Sequence, residues 1–116
     1  MSIQEQFDSL VDETAKITGI NIKYTKNRKY DVVVAKACVI NILSNFFGAN
    51  TVRIGKLMDI HHSTVIHHLK CHGDRHRYED EYFDLYESLC KHANDIGKSS
   101  IDVHEIITIM RRALSL

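Results

Sequence analysis

The stretch DVVVAKACVINILSNFF, residues 31 to 47, constrains this chain more than any other. It is apolar on nearly every side of a helical projection, and the chain contains no proline to interrupt it. The β-branched run Val32 to Val34 would also suit a strand. Strands, however, usually end after about four to eight residues, and this pattern continues for 17 until Gly48. Length therefore predicts a helix enclosed at the domain centre, which the rest of the chain must cover.

The flanking sequence supplies further helices. After Ser2, a suitable N-cap, Ile3, Phe7, Leu10, Val11, Thr14 and Ile17 recur at steps of three and four until Gly19. A basic loop, KYTKNRKY, then leads into the apolar stretch. Asn50 can cap a short helix, TVRIGKLMD; Ser63 or Thr64 begins another, STVIHHLKCH, which Gly73 is expected to end. A fifth helix is expected from about Arg77 to Ala93, with Tyr78, Tyr82, Phe83, Leu85, Tyr86, Leu89 and Cys90 facing inward and Gly97 beyond it. The closing segment, IDVHEIITIMRRALSL, is apolar at Ile106, Ile107, Ile109, Met110 and Leu114. The expected fold is thus all-α, about six helices in a single domain over residues 1 to 116. An N-terminal helix occupies residues 1 to 19 and an extra C-terminal helix residues 98 to 116. A chain of 116 residues, 44% hydrophobic, has enough apolar material for one core and not for two ordinary ones.

Composition narrows the partners. No apolar run approaches the roughly 20 residues that cross a bilayer, and MSIQEQ is not a basic-then-apolar leader, so a cytoplasmic protein without a membrane partner is expected. Cys38, Cys71 and Cys90 are odd in number and widely spaced, unlike a disulfide framework, and are read as reduced and mostly buried. The formal net charge of zero conceals a separation. Residues 1 to 20 carry one basic and four acidic side chains, residues 21 to 77 ten and three, and residues 78 to 116 four and eight. A local excess of seven positive charges attracts polyanions, which makes nucleic acid the leading partner, unless the fold spreads the charges so that they cancel.

The basic segment also holds IGKLMDIHHSTVIHHLK, residues 54 to 70, with four of the eight histidines. Two short helices joined by a tight turn form a helix-turn-helix. The first would turn Val52, Ile54, Leu57 and Met58 to the core, and the second would bury Val65, Ile66 and Leu69. His61, His62, Ser63, Thr64, His67, His68 and Lys70 remain for the outer surface. Hydroxyls bond phosphates or base edges, a threonine methyl touches a thymine methyl, and a helix N-terminus favours phosphate. Gly55, inside the first helix, costs about 1 kcal/mol relative to alanine, and a close crossing of the two helices would account for it.

At these residues the sequence resembles the C-terminal DNA-binding domain of the bacterial replication initiator DnaA. That family's signature reads roughly I-G-R-x-F-x-x-R-D-H-T-T-V-L-H. This chain offers Ile54, Gly55 and Lys56, then Met58, then His61, His62, Ser63, Thr64, Val65, Ile66 and His67. Upstream, KNRKYDVVVAKACVINIL is similar to the family's basic loop and following helix, R-R-x-x-V-x-A-R-Q-x-A-M-Y-L. The resemblance covers about residues 20 to 93. It implies that His62, Ser63 and Thr64 read bases and phosphates in the major groove. It implies too that Lys26, Arg28 and Lys29 approach the adjacent minor groove or backbone, with Lys36 near a further contact. Lys56 matches the basic residue of the I-G-[KR] lead, His67 the histidine after V-L, and Lys70 the basic end of that helix.

The chain also departs from the pattern. Its turn is one residue shorter, the arginine of R-D-H is absent, and His61 stands in place of the aspartate. An imidazole that donates or accepts replaces a carboxylate that only accepts, so a base preference of its own is expected. No G-x-x-x-x-G-K-[ST] loop occurs, and neither nucleotide binding nor hydrolysis is expected. The resulting expectation is a binder of double-stranded DNA, not an enzyme, that regulates replication or transcription and that a phage or mobile element could encode. The alternative is a protein-interaction adaptor that uses the C-terminal helix, which could also pair two copies of the chain.

Other uses of the histidines have weaker warrant. His67 with Cys71 and His68 with His72 are four residues apart, a spacing zinc sites use, but a structural site needs four ligands and no second pair at finger-like spacing appears. No cofactor is therefore expected. Nor does any nucleophile stand with a recognisable base and orienting acid.

Overall fold

The computed structural model describes residues 2 to 98 as five helices. They are α1 (Ile3–Thr18), α2 (Tyr30–Asn45), α3 (Thr51–Met58), α4 (His62–Tyr78) and α5 (Asp80–Lys98), with no strand among the described residues. The all-α expectation holds. The helix expected over residues 98 to 116 lies, beyond Lys98, outside the described residues.

α2 is the central helix. Ten of its residues are buried, from Val32 to Leu43, and α1, α3, α4 and α5 all pack on it. Each valine or isoleucine loses about half a kcal/mol of helix propensity, whereas full burial of such a side chain gains roughly 1.5–3 kcal/mol. Burial decides the contest. The surrounding helices contribute Phe7, Leu10 and Val11 from α1, Ile54 from α3, Val65 from α4, and Tyr82, Leu85, Leu89 and Ala93 from α5. The one buried amide, Asn41, donates from Nδ2 to Ala37 O at 2.9 Å and to His68 O at 3.2 Å, tying α2 to α4.

The helix ends follow local chemistry. α1 starts in a capping box between Ser2 and Glu5 and stops at Gly19, whose φ of 76° is left-handed. Asn50 caps α3 by accepting from the Arg53 amide at 2.8 Å. No helix of the described residues is long and apolar enough to cross a membrane.

Four sequence expectations need correction. Gly73 does not end α4: the helix continues to Tyr78, and α5 begins only at Asp80 and runs past Ala93 through Gly97. α4 persists because residues on both sides of Gly73 are held by α5, through His72 with Tyr82 at 2.7 Å and His76 with Glu87 at 2.8 Å. Those contacts outweigh the glycine penalty of about 1 kcal/mol. Tyr78 and Phe83 do not face inward, being 73% and 42% exposed. Val52 points away from the core and is exposed, and of Val65, Ile66 and Leu69 only Val65 is fully buried, the other two being half-buried. Finally, only Cys38 is buried; Cys71 and Cys90 are half-buried, and all three are free.

Candidate nucleic-acid interface

α3 and α4 form a helix-turn-helix whose turn is drawn tightly against α3. Asp59 closes α3 in the left-handed region (φ 55°), and the Ile60 amide donates to Gly55 O at 2.9 Å. A Cβ added at Gly55 would lie 2.8 Å from Ile60 O and 3.6 Å from the His62 amide nitrogen. The close approach that the sequence implied at this glycine is therefore that of the turn backbone itself.

Immediately after the turn, α4 is capped by His61 rather than by Ser63 or Thr64. His61 Nδ1 accepts from the Ser63 amide at 3.1 Å, and the Ser63 hydroxyl lies 2.7 Å from the same nitrogen. An amide nitrogen can only donate, so in this hydrogen bond Nδ1 presents its lone pair and Nε2 is the nitrogen that carries a proton. The Ser63 hydroxyl lies against the same single lone pair, which the amide already engages, and its oxygen keeps lone pairs of its own. The helix tip consequently offers a donor at His61 Nε2 and an acceptor at Ser63 Oγ. His61, His62, Ser63 and Thr64 are all exposed, and the two imidazoles lie against each other with ring centroids 4.2 Å apart.

The loop between α1 and α2 comes up beside this tip. Lys26, Arg28 and Lys29 are exposed, and Asn27 Oδ1 accepts from the Lys29 amide at 3.1 Å, fixing the loop at its entry to α2. Lys26, Arg28, Lys36, His61, Thr64 and His68 border a single cavity of about 580 Å³. Asp59 is the one acidic residue at its border; it lies 3.9 Å from Lys26, both side chains being well exposed. Lys56, His61 and His62 border a second, more open depression that shares Asp59, Ile60 and His61 with the first. Lys29, Ser63, His67 and Lys70 border neither, although all four are exposed.

Two of the expected contact residues are partly withdrawn. His68 is half-buried, and Arg75 Nη1 approaches its Nδ1 at 2.9 Å. Burial, with the Arg75 guanidinium beside it and smaller effects of His67 and Lys36, pulls its pKa down to about 4, so this ring is neutral at physiological pH. Lys36 is half-buried in α2, and desolvation together with Lys26 lowers its pKa from the usual lysine value.

The sequence reading overlooked Lys23, Thr25 and Asn27, which border the same cavity, and Arg53, exposed on α3 beside Lys56. Lys23 belongs to the same charge run as Lys26 to Lys29 and could have been found there; it also reaches Asp8 at 3.6 Å. Acidic Asp31, Glu81 and Asp84 border a separate groove with Ile17 and Leu85. The cavity and this groove thus differ in the sign of most of their charged lining residues.

The histidine–cysteine pair stays a pair: Cys71 Sγ lies 3.7 Å from His67 Nε2, and no group of three or more potential metal ligands occurs among the described residues. No family model, curated protein or solved structure matches the chain.

Proposed function

We propose that this chain binds double-stranded DNA through α3 and α4. The N-terminal turn of α4 enters the major groove, and the loop of residues 26 to 29 engages the neighbouring backbone or minor groove. The observation that carries this reading is the convergence of cations from two elements, the loop and α2, with an exposed, acid-poor helix tip of His61, His62, Ser63 and Thr64. Cations of this kind supply affinity through phosphate, while the tip offers groups suited to base edges. The resemblance of the I-G-K and H-S-T-V-I-H elements to the initiator domain supports the same reading. It also implies the role, regulation of replication or transcription.

Selection of bound duplexes from a random pool tests the proposal: an enriched motif is expected. Recovery of no motif, with weak binding to all duplexes, would overturn it in favour of a protein-binding adaptor. A second measurement separates backbone from base contacts. Arg28→Ala is expected to weaken binding to all duplexes and to lower the slope of log K against log salt by about 1.

A further inference from the structure

The cavity beside the helix tip has a floor that backbone cations do not require. Ile22 and Ile40 are buried beneath it, and Val33, Met58 and Ile60 are half-buried along it. Its volume, about 580 Å³, falls within the roughly 300–1,000 Å³ of small-molecule sites, which join apolar walls to a few placed polar groups. Here the polar groups are largely of one sign. Among the described residues no carboxylate lies within ion-pair distance of Lys36 or Arg28, and the one acidic group at the border, Asp59, stands by Lys26 at the exposed rim. Thr64 adds a hydroxyl from α4.

From this arrangement we infer that the cavity binds a small amphipathic anion: an aromatic or branched apolar body on the isoleucine, valine and methionine floor, with one carboxylate, sulfonate or phosphate group at Lys36 and Arg28. Desolvation and neighbouring Lys26 lower the Lys36 pKa, and an anion placed beside the ammonium would offset both. Because Lys26, Arg28 and Thr64 also belong to the surface proposed to meet DNA, an occupied cavity changes the charge presented there. The ligand site itself does not depend on DNA binding being correct, and it is tested without DNA.

The test uses the full chain and 8-anilinonaphthalene-1-sulfonate, an aromatic anion whose fluorescence rises in apolar surroundings. Saturable binding at one site is expected. N-phenyl-1-naphthylamine, the same rings without the sulfonate, should bind at least about tenfold more weakly, as should the sulfonate to Lys36→Met, which keeps the apolar stem and loses the charge. Methyl resonances of Ile22, Ile40 and Met58 should shift on titration, which locates the site independently of any variant. Absence of saturable binding, equal affinity for charged and neutral probes, or shifts confined to other methyl groups would each overturn the assignment.

Discussion

The two halves of α4 use the same residue type for different ends. In the first half, His61, His62 and His67 are exposed, and no acidic group pairs with them among the described residues. In the second part of the helix, from His68 onward, each imidazole is half-buried and engaged: His68 with Arg75, His72 with Tyr82, and His76 with Glu87. The boundary falls between His67 and His68, where the side chains pass from solvent to contacts with Arg75 of α4 itself and then with α5. What an imidazole does here is set by the neighbour the fold supplies and not by its place in a histidine-rich run. The second part should therefore answer for stability and the first for binding.

The largest effect is expected at His72. Its ring packs against both Tyr82 and Tyr86, with centroids 5.7 and 4.6 Å away, and it supplies the hydrogen-bond partner of the Tyr82 hydroxyl. Tyr82 is completely buried, and burial raises its hydroxyl pKa. His72→Ala removes the packing and strands that hydroxyl, at a combined cost of about 3 kcal/mol in urea unfolding. Its DNA affinity, measured on folded protein, should be unchanged. His62→Ala should do the reverse, with stability altered by no more than about 0.5 kcal/mol and affinity reduced. Equal stability losses in the two variants would abolish the distinction between the halves.

Thr64 tests the exposed half for specificity. Its side chain is exposed, so Thr64→Ala should leave stability within about 0.5 kcal/mol of the parent. It should reduce discrimination between the selected duplex and a random one by roughly 1 to 3 kcal/mol. Unchanged discrimination, with the selected motif in hand, would remove α4 from the base-reading role.

Gly55 joins the two behaviours, because the turn it admits sets where the tip begins. Gly55→Ala gains about 1 kcal/mol of helix propensity but puts a methyl 2.8 Å from Ile60 O, an overpacking cost of about 1–3 kcal/mol. A net loss of about 1 kcal/mol is expected, along with altered sequence preference as the turn retreats. A variant more stable than the parent would mean the turn is not tightly seated.

These residues also mark how far the sequence could be read. The cap at Ser2, the stop at Gly19, the cap at Asn50 and the crowding at Gly55 were legible because each depends on a few neighbouring residues. The continuation of α4 through Gly73 was not, since it depends on contacts with α5 that lie about ten residues onward in the chain. The same holds for the exposure of Tyr78 and Phe83: periodicity marks an apolar stripe but not how wide a strip the neighbouring helix covers. At the candidate interface, exposure of His61 to Thr64 agreed with helix geometry. The withdrawal of His68 did not follow from spacing, because it requires Arg75 one side and the Asn41 bond to its carbonyl on the other. That His61 would take the capping role could not be read from propensity, which favours Ser63.

His68 gives the smallest effect and the sharpest boundary between the halves. Its pKa, held down at about 4 by burial and by Arg75, is below the usual imidazole value of 6.5, so the folded state resists a proton that the unfolded chain accepts. Stability from this residue is therefore present in full above about pH 6.5 and is lost as pH falls from there toward about 4. His72, lowered in the same direction by burial and by His76, adds to the trend. The full shift would correspond to about 3 kcal/mol, but the ring is only half-buried, and solvent screening brings the expected loss to about 1 kcal/mol. Unfolding at pH 7 and at pH 4.5 should reveal it, and His68→Gln, which has no proton to take up in this range, should lose about 1 kcal/mol less between the two. The binding side of the comparison then follows. Because His68 stays neutral between pH 8 and 6, any tightening on DNA in that interval should persist in His68→Gln. If it vanished, His68 would have to carry a charge at the interface, and the line drawn between the two halves of α4 would be in the wrong place.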